Sequence, residues 1–223
     1  MTGRYEASGP EAEFQPGSRG RVSRNRLGIT SVRLMEHAES ETLLAATQQI
    51  IDETGTNQRF TADDIRSMHR RWLGDVRILG EVYEWAGDYR QVNIAKGGFM
   101  FAAASRVPRL MQDFERGPLR DYTPCGFATI ETQASALAIV HAELILIHPF
   151  RDGNGRCARL LATLMGLQAG LPALDFGGVR RTKKREYIAA IHAALARDYT
   201  PMTAVFHAVI RRTLRSVAKT SSE

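Results

Sequence analysis

His148-Pro149-Phe150-Arg151-Asp152-Gly153-Asn154-Gly155-Arg156-Cys157-Ala158-Arg159 lies between two stretches of helical periodicity, and its reading decides the rest of the chain. Leu137, His141, Leu144 and His148 follow one helical line before it. Leu160, Leu161, Leu164 and Met165 make a core stripe after it. The stretch therefore reads as a loop at a helix N-terminus, where free backbone N–H groups and the helix dipole favour a bound anion. Gly153 and Gly155 would let the backbone approach a phosphate closely and adopt positive φ. Arg156 and Arg159, three residues apart, would share a helix face and reach one anion with forked, charge-assisted hydrogen bonds. Asp152 is a hard oxygen ligand suited to a magnesium ion that phosphates also hold. His148 could take a proton from an incoming nucleophile near neutral pH. Chemistry alone thus points to a site for a nucleoside polyphosphate and its metal, with a base beside it.

Outward from the loop the pattern is mainly α, with six to eight helices and one small β-hairpin. A helix is expected from a Thr30/Ser31 cap to Gly55. Thr61 opens another in a capping-box-like sequence, with Ile65, Met68, His69, Trp72 and Leu73 on its buried stripe. Ser105 caps a helix carrying Val107, Leu110, Met111 and Phe114, which Gly117-Pro118 should end. A long helix spans roughly 127–147, and the helix after the loop closes at Gly170 and Pro172. Tyr187, Ile188, Ile191 and Leu195 mark a further helix, and Thr200-Pro201 starts the last one. Between Gln91 and Phe101, apolar Val92, Ile94, Phe99 and Phe101 alternate around Gly97-Gly98, which reads as a hairpin. His69 and His141 lie on apolar stripes, where hydrogen-bonded structural histidines are expected rather than ligands. Nothing resembles a series of parallel strands, which excludes a P-loop or Rossmann nucleotide site despite the glycines.

With 223 residues and 43% hydrophobic content, one core is the default. The expected division is a mobile basic arm over 1–26, a single domain over 27–219 and a tail over 220–223. Arg19, Arg21, Arg24 and Arg26 make the arm basic, and Arg180, Arg181, Lys183, Lys184 and Arg185 form a second cluster. The net charge of +6 and pI of about 9.7 favour anionic partners, yet solvated charge explains both clusters better than nucleic-acid binding. A basic nucleic-acid-binding or scaffold module is the non-enzymatic alternative. Leu73-Gly74-Asp75-Val76 recurs approximately as Leu79-Gly80-Glu81-Val82, too short a stretch to be an architectural repeat. Two cysteines, Cys125 and Cys157, suggest neither a disulfide framework nor a thiolate metal site. No signal pattern or bilayer-spanning apolar run stands out, so no membrane partner and a cytoplasmic location are expected, with secretion as an effector left open.

The loop resembles the motif H-x-F-x-[D/E]-G-N-G-R-x-x-R of the Fic (filamentation-induced-by-cAMP) family, and matches it at every specified position. Trp85-Ala86-Gly87 resembles the family's helix-to-flap corner, which there follows the preceding helix more directly, so the resemblance implies a local insertion at residues 77–82; Asn25 to Thr30 resembles the lead-in segment of its small single-domain members. The resemblance implies the Fic fold and transfer of AMP from ATP to a Ser, Thr or Tyr hydroxyl of a target protein. In that reading His148 is the general base and Asp152 holds Mg²⁺. Gly153, Asn154 and Gly155 form the nest for the α- and β-phosphates, Arg156 and Arg159 hold the β- and γ-phosphates, and Phe150 anchors the loop. The hairpin residues Val92, Asn93, Ile94, Gly97, Gly98 and Phe99 would be the flap that holds the target segment by strand addition. Lys96 would touch phosphate or face water; Tyr187 would approach the adenine or pack in the core. Relatives that phosphorylate, or that transfer UMP, GMP or phosphocholine, supply the alternative within the enzyme class. An inhibitory [S/T]-x-x-x-E-[G/N] helix finds no full match, Thr2-Gly3-Arg4-Tyr5-Glu6-Ala7 failing at Ala7, so a toxin controlled by a separate antitoxin-like protein is expected.

Overall fold

The computed structural model describes residues 6–7, 13–73, 82–181 and 184–220. The suggested insertion at 77–82 lies outside these except for Val82, as does Lys183 of the second basic cluster. The chain forms two compact units, each assembled from three separate stretches rather than from one half of the sequence.

The first unit takes residues 1–53, 62–111 and 147–157. Its helices are α1 (Val32–Glu53) and α2 (Ala62–Leu73), which contact one another. Both obey helical spacing: Met35, Ala38, Thr42, Ala46 and Ile50 are buried on α1, and Ile65, Met68, His69, Trp72 and Leu73 on α2. Helix α1 runs unbroken to Glu53, and the Ser31 hydroxyl accepts from the Leu34 amide at its start. The strands are β1 (Glu6–Ala7), β2 (Ile94–Lys96) and β3 (Phe99–Met100), antiparallel in that order. Gly97 and Gly98 join β2 to β3 with φ of 58° and 79°, which is what a two-residue type I′ turn requires of both central residues.

The basic stretch 13–26 forms turns closed by local hydrogen bonds. Phe14 bridges Ser23, Val22 is fully buried, and the Asn25 side chain ties Ser23 to Ile29 through three backbone hydrogen bonds. Within the same unit, β1 pairs with the outer edge of the hairpin, Glu6 opposite Ala95 and Ala7 opposite Ile94.

The second unit takes residues 54–61, 112–146 and 158–223. Helix α3 (Val107–Phe114), whose residues up to Met111 belong to the first unit, was expected to stop at Gly117-Pro118, but the chain widens into a π-helical turn over Glu115–Leu119 and continues as α4 (Arg120–Tyr122). The wider turn tolerates a residue without an N–H, so Pro118 bends the register instead of breaking it. Thr129 caps α5 (Ile130–Ile147), its hydroxyl accepting from the Thr132 amide. Against the sequence reading, α5 is long and apolar enough to cross a membrane by composition, yet most of it is buried, as in the central helix of a globular unit. Helix α6 (Asn154–Gln168) ends at Gly170, whose φ of 77° is the left-handed cap a glycine supplies. The remaining helices are α7 (Gly177–Arg181), α8 (Lys184–Ala193) and α9 (Thr200–Thr220); α8 contacts α9.

Candidate active site

The loop 148–157 belongs to the first unit, and its shape is built from its own short hydrogen bonds. Asn154 turns its amide back on Phe150: Oδ1 accepts from the Phe150 amide at 2.8 Å and Nδ2 donates to the Phe150 carbonyl at 2.8 Å. The Asn154 side chain is thus buried and spent on closing the loop, which leaves only its backbone for the expected phosphate nest. Gly153, at φ 82°, accepts the Arg156 and Cys157 amides on its carbonyl and starts α6. A Cβ there would come within 2.6 Å of the Trp72 indole, so both conformation and space demand glycine. Gly155, expected to need similar freedom, already lies inside the helix. Helix α6 starts at Asn154, so the positive end of its dipole lies at the loop, a condition for holding an anion.

Phe150 is fully buried and stacks face to face on His69, centroids 4.0 Å apart and planes 9° apart. His69 in turn bonds at both nitrogens. Nδ1 accepts from the Gly87 amide at 2.8 Å, which leaves the proton on Nε2 to donate to the Asp152 carbonyl at 3.0 Å. Burial pushes this imidazole down to about 3, so it is a neutral strut joining the corner at Gly87 to the loop.

His148 follows the last residue of α5 with φ 52°, a left-handed conformation that costs a non-glycine residue about 1–2 kcal/mol. Its imidazole stacks on Phe101 at 3.7 Å, and the residue is almost wholly buried. Asp152 is half-exposed, its Oδ1 accepting from the Gly153 amide at 2.6 Å. No group of three or more metal-binding side chains occurs among the described residues. One hard carboxylate fits Mg²⁺ held chiefly by a nucleotide's phosphates, and does not fit a resident ion in a protein cage.

Arg156 lies over the Trp72 indole at 4.2 Å and donates to Glu39 Oε2 at 2.9 Å. Glu39 Oε1 accepts from the Tyr83 hydroxyl, and its backbone carbonyl from the Trp72 indole N–H. Arg159, one helical turn beyond Arg156 on α6, falls in the second unit. Tyr187 is also in that unit, where its hydroxyl donates to His141 Nε2 at 2.7 Å while His141 Nδ1 donates to the Ala158 carbonyl. Burial holds His141 at about 3 and raises the Tyr187 phenol to about 12. In the flap, Val92 and Ile94 point inward, Phe99 is half-buried, and Asn93, Lys96, Gly97 and Gly98 are exposed. The Asn93 carboxamide accepts from the Ala104 amide.

Arg90, Glu39 and Trp72 escaped the sequence reading as site residues. Arg90 was the most legible, as a lone cation between the Trp85-Ala86-Gly87 corner and the apolar hairpin.

The chain is similar to known proteins in both sequence and fold. Residues 59–165 match a family model described as the Fic/DOC family. Protein adenylyltransferase fic-1 of Caenorhabditis briggsae is 34% identical over 145 residues, covering 65% of this chain and 26% of that protein. The chain thus spans about a quarter of the length of that curated relative. The N-terminal Fic domain of a putative cell filamentation protein from Bartonella quintana, solved with bound ADP, superposes with TM-score 0.67 at 23% identity, covering 88% of this chain and 92% of that one. BepC from Bartonella tribocorum, with bound AMPPNP, gives TM-score 0.65 at 22% identity over 84% and 91%. At such identities the likeness shows a shared Fic fold.

Proposed function

Because residues 59–165 make this chain a member of the Fic/DOC family, we propose that it is a protein adenylyltransferase, moving AMP from ATP to a hydroxyl of a target protein. The observation that carries this is the loop itself: a buried histidine, a half-exposed carboxylate, a helix N-terminus and Arg156 follow one another within nine residues. Relatives named adenylyltransferases, and neighbours holding ADP or AMPPNP, support an adenine nucleotide as the substrate.

In the reaction His148 accepts the proton of a target Ser, Thr or Tyr hydroxyl as that oxygen attacks the α-phosphorus. The new P–O bond forms as the bond to the β-phosphate oxygen breaks, and pyrophosphate leaves. Its charge is met by the first-turn amides of α6 and by Arg156 and Arg159. Asp152 would hold Mg²⁺ arriving with the nucleotide, which when bound supplies further neutralisation of phosphate charge. The hairpin offers an extended target segment backbone hydrogen bonds, which align it without requiring one sequence.

The test is transfer of radioactive phosphate from α-labelled and γ-labelled ATP to proteins of a bacterial lysate. Label from the α-position alone supports AMP transfer. Label from the γ-position alone would replace it with phosphorylation.

A further inference from the structure

Arg90 has no part in the chemistry above, yet the residue is only 1% exposed. A guanidinium does not lose its proton, so it must be compensated where it lies. Four backbone carbonyls accept from it. Nε donates to His148 O at 2.7 Å, Nη1 to Val92 O at 2.8 Å, and Nη2 to Ala102 O and, at 3.5 Å, to Ile147 O. The Arg90 amide adds a bond to Pro149 O at 2.9 Å. Two of these carbonyls, Ile147 and His148, close the C-terminal end of α5, where carbonyls lack helical partners and the dipole is negative. Val92 and Ala102 flank β2 and β3, so they are the two feet of the hairpin.

We infer that Arg90 is a positioning residue that fastens the flap to the general base. One planar fork fixes both feet of the hairpin and the left-handed backbone of His148, so the flap cannot shift without moving the imidazole. Phe101, between foot and strand, reinforces this by stacking on His148 at 3.7 Å. A target segment lying on the flap is thereby held at a set distance from the base that must deprotonate it. Lysine, a single point charge, cannot satisfy carbonyls in so many directions.

The inference rests on the adenylyltransferase reading, and the experiment separates the two. Arg90→Lys is compared with wild type for hydrogen exchange at residues 92–102 and 147–150, ATP affinity, and kcat and KM for the labelled target. Exchange should rise in both segments together, KM for the target should rise, kcat should fall about 10²-fold, and ATP affinity should stay within about twofold. Should lysine unfold the protein, Arg90→Gln with guanidinium added to the assay takes its place, and partial recovery of kcat is expected. Exchange rising in one segment only, or both rising with unchanged kcat and KM, would overturn the positioning role. Wild-type protein that transfers no AMP to any target would overturn the adenylyltransferase reading itself, whatever the exchange shows.

Discussion

Glu39 and Arg156, 117 positions apart in the chain, meet in a 2.9 Å ion pair beside the helix N-terminus that faces the loop. The carboxylate orders the guanidinium over Trp72, but it also sets a negative charge where phosphate charge must come. Glu39→Gln keeps one carbonyl oxygen to accept from Arg156, turns its NH2 to donate to the Tyr83 hydroxyl, and removes that charge. ATP should then bind tighter by about 1 kcal/mol, about fivefold in Kd. Calorimetric titration checks this; weaker binding would mean that ordering Arg156 outweighs the repulsion.

Gly153 is fixed by two independent constraints, a φ of 82° and the Trp72 ring. Gly153→Ala must strain the backbone and displace the indole on which Arg156 lies, costing about 2–4 kcal/mol. Urea unfolding should show this loss, with AMP transfer reduced more steeply than stability implies. An alanine variant of wild-type stability would contradict the described packing.

His69 and His141 give the protein an acid limit. Both have folded-state values near 3, below the ordinary 6.5, because burial disfavours the charged ring. The unfolded chain therefore takes up protons that the folded chain refuses. Stability is complete above pH 6.5 and falls as pH drops toward 3, with a slope of up to ~1.4 kcal/mol per pH unit for each histidine. Unfolding free energies measured between about pH 7.5 and pH 5 should show it, and His141→Gln should flatten the slope. Equal slopes in both proteins would contradict the assignment.

The pairing of Glu6 and Ala7 with β2 occupies the outer edge of the flap. A target strand adding at that edge must displace β1. Removing residues 1–12, which leaves the ordered stretch from Glu13 intact, should lower KM for the target without changing ATP affinity. An unchanged KM would place the target on the β3 edge instead.

The core of the site was legible because the loop residues are neighbours in sequence: His148, Asp152, Gly153 and Arg156 fall in one turn whichever way the rest folds. The hairpin and the principal helices were legible from apolar spacing and from Gly97-Gly98. What sequence did not disclose depends on distant segments or on competition for hydrogen bonds. Glu39 is one acid among many on α1 until α2 and the loop bring Trp72 and Arg156 to it. Arg90 looks like a surface cation until four carbonyls surround it. Asn154 was placed in the phosphate nest by its position in the motif, and only the folded loop shows its side chain bonded to the Phe150 backbone. Gly117-Pro118 signals a helix end by local propensity, which the π-turn overrides.

The central claim is that His148 is the base for AMP transfer, and His148→Ala tests it most directly when single-turnover transfer and ATP affinity are measured on the same protein. Transfer should fall by about 10²–10⁴-fold with ATP affinity essentially unchanged. Transfer within a few-fold of wild type, or a loss fully explained by weaker ATP binding, would contradict it.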